Sequence, residues 1–244
     1  MLVIGHRGAL AEAPENTLDG FAHALGAGVD AVEFDVRLSR DDQLVVFHDP
    51  TVDRTTNATG PVGSFTAAEL AQLDARAQFP GWPVRCGVPL FTEVLDVLGD
   101  TVRLMIEVKQ EPEGREAVLH RIMKEIDRRA IGNLATITTG DPALLAVIQR
   151  DYPAQRRGYI GAWDTIEFLE TSLRLECPHG DAHHVTASPD VVAAARAAGM
   201  TMLGWMCNSE AEFQKLRGWD VDAVTSDCPS RILALRGTLG SAAW

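Results

Sequence analysis

Apolar runs of strand length alternate with segments of helical periodicity from one end of the chain to the other. That order predicts a parallel α/β sheet or barrel. Leu2 to Gly5 reads as a short apolar strand ending at His6-Arg7-Gly8. A helix follows, opened by Pro14-Glu15-Asn16-Thr17 with Asn16 or Thr17 as N-cap, and Leu18, Phe21, Ala22 and Leu25 form its apolar face. Further strands are predicted at Ala31 to Val36, Leu44 to His48, Arg103 to Val108, Ala135 to Thr138 and Arg157 to Ile160. The last three are His184 to Thr186, Met202 to Trp205 and Ala223 to Thr225, with helical segments between them and a last helical turn after Pro229. This gives nine strands, one more than a closed (β/α)8 barrel holds. The weakest are His184 to Thr186 and the pair joined by Arg37 to Gln43, a link too short for a crossover helix.

Length and composition narrow the architecture. The chain has 244 residues, 46% of them hydrophobic, enough for one barrel-sized domain over residues 1–244, and no Gly/Ser/Pro-rich linker divides it. The stretch of about residues 49–87 is polar and rich in Thr, Gly and Pro; it reads as a segment inserted after the third strand. A net charge of −12 argues against non-specific nucleic-acid or anionic-membrane partners. The four cysteines have no metal-site or disulfide spacing, and no segment has the ~18 apolar residues of a membrane span. The expectation is a cytoplasmic protein without membrane insertion.

Candidate chemistry lies where polar residues end apolar strands, because active sites of parallel α/β barrels form at the strands' carboxyl ends. In Val32-Glu33-Phe34-Asp35-Val36 the period of two puts both carboxylates on one face, about 6 to 7 Å apart, where they repel unless a cation lies near. Glu107 and Lys109 share a face in the same way. Glu33, Asp35 and Glu107 would offer three hard oxygen ligands, favouring Mg²⁺ or Ca²⁺ over zinc. His6 and His48 are the titratable pair suited to acid and base work near neutral pH. Arg7 and Lys109 could clamp a phosphate, and Trp205 could wall a substrate. Each of these residues alone also reads as structural: a solvated charge, a satisfied histidine, a neutralising ion pair or a core aromatic. His179, His183 and His184 lie close in sequence but lack metal-site spacing.

The ordered set Ile4-Gly5-His6-Arg7-Gly8, Pro14-Glu15-Asn16-Thr17, Glu33-Phe34-Asp35-Val36, Val46-Phe47-His48-Asp49 and Ile106-Glu107-Val108-Lys109 resembles the glycerophosphodiester phosphodiesterase family. Weaker echoes at Gly204-Trp205, Asn208 and Ser226-Asp227-Cys228-Pro229 extend the likeness over nearly the whole chain. The resemblance implies a TIM barrel, one divalent cation, and hydrolysis of small glycerophosphodiesters to an alcohol and glycerol 3-phosphate. By motif, it makes His6 and His48 the acid/base pair, Glu33, Asp35 and Glu107 the metal ligands, and Arg7 and Lys109 the phosphate clamp. The inserted segment would shape the glycerol side. Where the family often has Ser-Phe and Trp-Thr-Val-Asn, this chain has Thr139-Gly140 and Trp205-Met206-Cys207-Asn208, both expected across the barrel from the ligands. Rival readings are a lysophospholipase D, an aldolase-like barrel using Lys109 as Schiff base, and a non-catalytic phosphate-binding barrel.

Overall fold

The computed structural model describes residues 1–109 and 114–238. Its strands are β1 (Leu2–His6), β2 (Ala31–Leu38), β3 (Leu44–Val46), β4 (Arg103–Val108), β5 (Ala135–Thr139), β6 (Arg156–Gly161), β7 (His179–His183), β8 (Thr201–Trp205) and β9 (Ala223–Ser226). The sheet runs β1-β9-β8-β7-β6-β5-β4-β2, and β1 pairs with β2 to close it. All eight of these strands are parallel, so the architecture is a TIM (β/α)8 barrel.

The ninth strand is the surplus one. β3 pairs antiparallel with β2, Val36 opposite Val46 and Leu38 opposite Leu44, and stays outside the closed ring. The physical reason is the short link noted in the sequence: a five-residue turn can return a strand as a hairpin but cannot cross back to a parallel position. The segment at about 49–87 follows this third strand in chain order, as expected, and so lies between the second and third strands of the closed ring. It contains a short helix, α2 (Ala67–Gln72), and a small apolar cluster of its own, in which Val52, Val62 and Leu70 pack on Val45 and Phe47.

Two expectations need correcting. The strand placed at His184 to Thr186 is β7, five residues earlier, because His179-Gly180-Asp181-Ala182-His183 alternates without an apolar run to mark it. The closing helical turn after Pro229 is a ten-residue helix, Pro229–Thr238.

Strand alternation divides the barrel into two environments. On β2, Val32, Phe34 and Val36 are wholly buried against the surrounding helices, where Phe34 meets Phe21 at 5.7 Å and Phe91 at 6.0 Å. Each such ring contributes roughly 1.5–3 kcal/mol of burial. The alternate residues of the same strand, Glu33 and Asp35, are thereby turned into the barrel. Its lower interior is apolar, with Ile4, Met105 and Leu203 in contact. Among the described residues, no helix is long and apolar enough to cross a membrane.

Candidate active site

The residues after β1 are shaped by two glycines. A Cβ on Gly5 would lie 2.1 Å from the Gly8 carbonyl oxygen, and Gly8 itself has φ +88° and presses on the first helix, α1 (Leu18–Ala27), at Gly20. The turn they permit holds Arg7 at φ 49°, a left-handed conformation, with its backbone N–H donating to Glu33 Oε2 at 3.1 Å.

The segment predicted only as a helix start also builds the site. Thr17 caps α1 through the Gly20 N–H. Asn16, also left-handed at φ 52°, donates from Nδ2 to Asp35 Oδ2 at 2.8 Å. Glu15 is buried and accepts from Arg7 Nη1 at 2.9 Å and from Arg54 Nη1 and Nη2 at 2.6 and 2.8 Å. Arg54 also donates from Nε to Asp49 Oδ2 at 2.6 Å, and its bonds to Glu15 tie the inserted segment to the rim of the barrel.

Carboxylate oxygens of Glu33, Asp35 and Glu107 lie within 4.8 Å of one another. The β2–β4 register, which sets Asp35 opposite Glu107, brings them together. Lys109 Nζ sits 2.8 Å from both Asp35 Oδ1 and Glu107 Oε1, and Arg7 Nε is 3.4 Å from Asp35 Oδ2. Burial raises the Asp35 carboxyl, yet Lys109, Arg7 and His48 outweigh it and hold Asp35 well below the usual carboxylate range. Glu33 goes the other way. Burial, then the neighbouring Asp35 and Glu107, push it well above its ordinary value. Burial also raises Glu107, with Lys109 opposing. Glu33 Oε1 is buried and accepts no hydrogen bond. Three clustered hard oxygens, one of them unused, fit a divalent cation, which would relieve the repulsion and lower Glu33.

Each histidine is oriented by a carboxylate. His6 Nδ1 lies 2.6 Å from Asp227 Oδ1, and Asp227 is held in turn by Asn208 Nδ2 at 2.7 Å. His48 Nδ1 lies 2.6 Å from Asp49 Oδ1, and Arg37 donates to the His48 carbonyl at 2.7 and 2.9 Å. A carboxylate accepts only, so Nδ1 carries the hydrogen in both rings and each Nε2 is left for other partners. His6 Nε2 is 3.8 Å from Glu33 Oε2. Burial lowers the His48 pKa from its ordinary value, partly offset by Asp35.

One cavity of about 220 Å³ gathers His6, Arg7, Glu33, His48, Glu107 and Lys109, with Trp205 on its wall. Asp35 lies buried among them, so all eight residues singled out from the sequence meet at one site. The flanking histidines His183 and His184 stack on each other at 5.4 Å, and His183 meets Trp205 edge-on at 4.7 Å. Thr139-Gly140 is not across the barrel: Thr138 is the register partner of Glu107, so the pair ends the neighbouring strand. Met206 lines the cavity, while Cys207 is wholly buried. Sequence reasoning missed the supporting groups Glu15, Asn16 and Arg54, and it missed Asp181, which also faces the cavity. The i, i+2 pattern of His179, Asp181 and His183 was the available signal.

The fold and the site define an α/β-barrel enzyme with a carboxylate centre at the carboxyl ends of its strands. The chain belongs to the Glycerophosphoryl diester phosphodiesterase family, whose model matches residues 6–231. It is accordingly a phosphoric diester hydrolase. A glycerophosphodiester phosphodiesterase of Caldanaerobacter subterraneus subsp. tengcongensis is 29% identical over 235 residues, covering 96% of this chain and 97% of that protein. One from Bacillus altitudinis is 28% identical over 240 residues, covering 96% and 97%. Among solved structures, an Oleispira antarctica phosphodiesterase in complex with sn-glycerol-3-phosphate superposes with a TM-score of 0.90 at 29% identity, covering 96% of each chain. A glycerophosphodiester phosphodiesterase of Agrobacterium tumefaciens gives 0.80 at 27% identity, covering 96% of this chain and 99% of that one.

Proposed function

We propose that this chain is a metal-dependent glycerophosphodiester phosphodiesterase that releases an alcohol and glycerol 3-phosphate, with residues 1–244 as one catalytic unit. The observation that carries the reading is one cavity holding the three-carboxylate cluster, two carboxylate-oriented histidines and the cations Arg7 and Lys109. Glu33, Asp35 and Glu107 would hold one divalent cation, Mg²⁺ or Ca²⁺. When bound, it supplies a positive charge that polarises a phosphoryl oxygen and favours ionisation of a nearby hydroxyl.

The side chains do the rest. Arg7 offers a planar fork and Lys109 a point charge to the phosphate oxygens, offsetting the charge that builds up as the nucleophile attacks. The nucleophile of this reading is the glycerol 2-hydroxyl. Its proton passes to Nε2 of one histidine as the new P–O bond forms. The other histidine returns a proton to the departing alcohol oxygen as the old P–O bond breaks. Water then opens the cyclic phosphate with the two roles exchanged. The carboxylates Asp227 and Asp49 keep each Nε2 facing the reaction and favour the charged ring while it carries the extra proton.

A cytoplasmic setting belongs to the same proposal; the thiols of Cys86, Cys177, Cys207 and Cys228 are all free, which suits a reducing compartment. The test is glycerol 3-phosphate release from a panel of glycerophosphodiesters, with chelator and then Mg²⁺ or Ca²⁺ added back. No release under any metal overturns the proposal. Rates that climb with acyl-chain length would assign the chain to lysophospholipids instead.

A further inference from the structure

The wall of the cavity opposite the carboxylate cluster carries a group that the chemistry above leaves unused. Asp181 sits on β7, four steps round the eight-stranded ring from β2 and so directly across from Glu33 and Asp35. It is only 6% exposed, lines the same cavity, and its Oδ1 is buried without accepting any hydrogen bond. No Lys, Arg or His among the described residues forms an ion pair with it. Burial, then Glu107, pushes the carboxyl up to about 7. An unpaired buried carboxyl costs desolvation energy and gives the fold nothing in return.

Its surroundings suit a ligand. Trp205 Nε1–H donates to the Asp181 carbonyl at 3.2 Å, which fixes the indole over the same patch. Ile160 and Met206 complete an apolar surround. With a phosphate at Arg7 and Lys109, one ester arm would lie toward the inserted segment, whose Arg54 shares Glu15 with Arg7, and the other would reach across the barrel toward this patch.

We propose that Asp181 is a specificity-determining residue that accepts a hydrogen bond from an N–H or O–H donor on the departing alcohol of the diester. This rests on the phosphodiesterase reading and adds the substrate class to it: ethanolamine-type and polyol-type head groups are favoured over choline, which carries a cation but no donor. A carboxyl accepts in either protonation state, so the preference does not depend on its charge.

The test measures kcat and KM on glycerophosphoethanolamine, glycerophosphoglycerol and glycerophosphocholine, with cation present, for the wild type, Asp181→Asn and Asp181→Leu. Loss of the acceptor should lower kcat/KM about 10- to 100-fold on the ethanolamine or glycerol diester, mainly through KM, and leave the choline diester within about threefold. Asn keeps a carbonyl acceptor and should restore part of the loss on the glycerol diester. A fall confined to ethanolamine identifies an ammonium donor; a fall on both donor-bearing diesters identifies either group. An equal fall on all three substrates, or no fall in either variant, overturns the assignment. If the Leu variant does not fold, Asp181→Ala, which also lacks the acceptor, carries the same comparison. A wild type that hydrolyses none of the three overturns the phosphodiesterase reading, a separate outcome.

Discussion

His6 Nδ1 and Asp227 Oδ1 lie 2.6 Å apart although 221 positions separate them in sequence. The contact exists because β1 pairs with β9 as the barrel closes, Gly5 opposite Ser226. One end of the chain thus sets the tautomer of a histidine near the other.

Asp227→Asn should test that dependence. The amide can donate toward Nδ1 and favour the wrong tautomer, so kcat should fall at least about 100-fold with KM little changed. Circular dichroism melts should match the wild type. A kcat within a few fold of wild type would remove Asp227 from any role through His6.

Cation binding should be visible without substrate. At about 100 times its dissociation constant, Mg²⁺ or Ca²⁺ should stabilise the fold by about 2.7 kcal/mol. For a chain of this size that raises Tm by roughly 5–10 °C, reversed by chelator. Glu33→Gln combined with Glu107→Gln should abolish the response. A shift that survives in the double variant places the ion elsewhere.

Lys109→Met leaves Asp35 buried beside Glu107 without its 2.8 Å partner. The expected cost in chelator is about 3 kcal/mol or more by urea denaturation, because an uncompensated buried charge remains. Added divalent cation should recover part of that stability. Activity should stay low, since the phosphate contact is not restored. Equal stability in Lys109→Met and wild type under chelator would contradict this account.

His179 gives a pH signature remote from the reaction centre. Burial, then Arg156 and Arg103, lower its pKa to about 4, with Asp222 opposing. The folded state therefore resists a proton that the unfolded chain takes near pH 6.5. Its contribution is complete above pH 6.5 and is lost as pH falls toward 4, by up to about 3 kcal/mol. His179→Gln should flatten the stability profile between pH 4 and 6.5 by about one proton, and leave stability above pH 7 nearly unchanged. Parallel profiles for the two proteins would refute the assignment.

Much of this site could be read directly from the chain because its signals are local. Alternation alone sets Glu33 and Asp35 on one face of β2 and Glu107 with Lys109 on one face of β4. The short link between Arg37 and Leu44 excludes a crossover helix, while the antiparallel pairing of Leu44–Val46 with β2 came from the structure. Helix periodicity is equally local, as in the amphipathic helix Arg115–Arg129. β7 was misplaced because its five residues carry no apolar run, and its partners β6 and β8 supply the order that its own composition does not.

What the sequence determined by itself was the inventory: which residues end strands, which faces they share, and which chemistry those types can support. The tertiary structure decided their pairings. Closure of the barrel brings Asp227 to His6, register brings Asp35 beside Glu107, and the left-handed turns at Arg7 and Asn16 bring Glu15 and Asn16 into the centre. These depend on contacts between residues far apart in the chain. Alternation and periodicity report only on neighbours a few positions away, so the carboxylate face at Glu33 and Asp35 was legible early and Asp181, its counterpart across the barrel, was not.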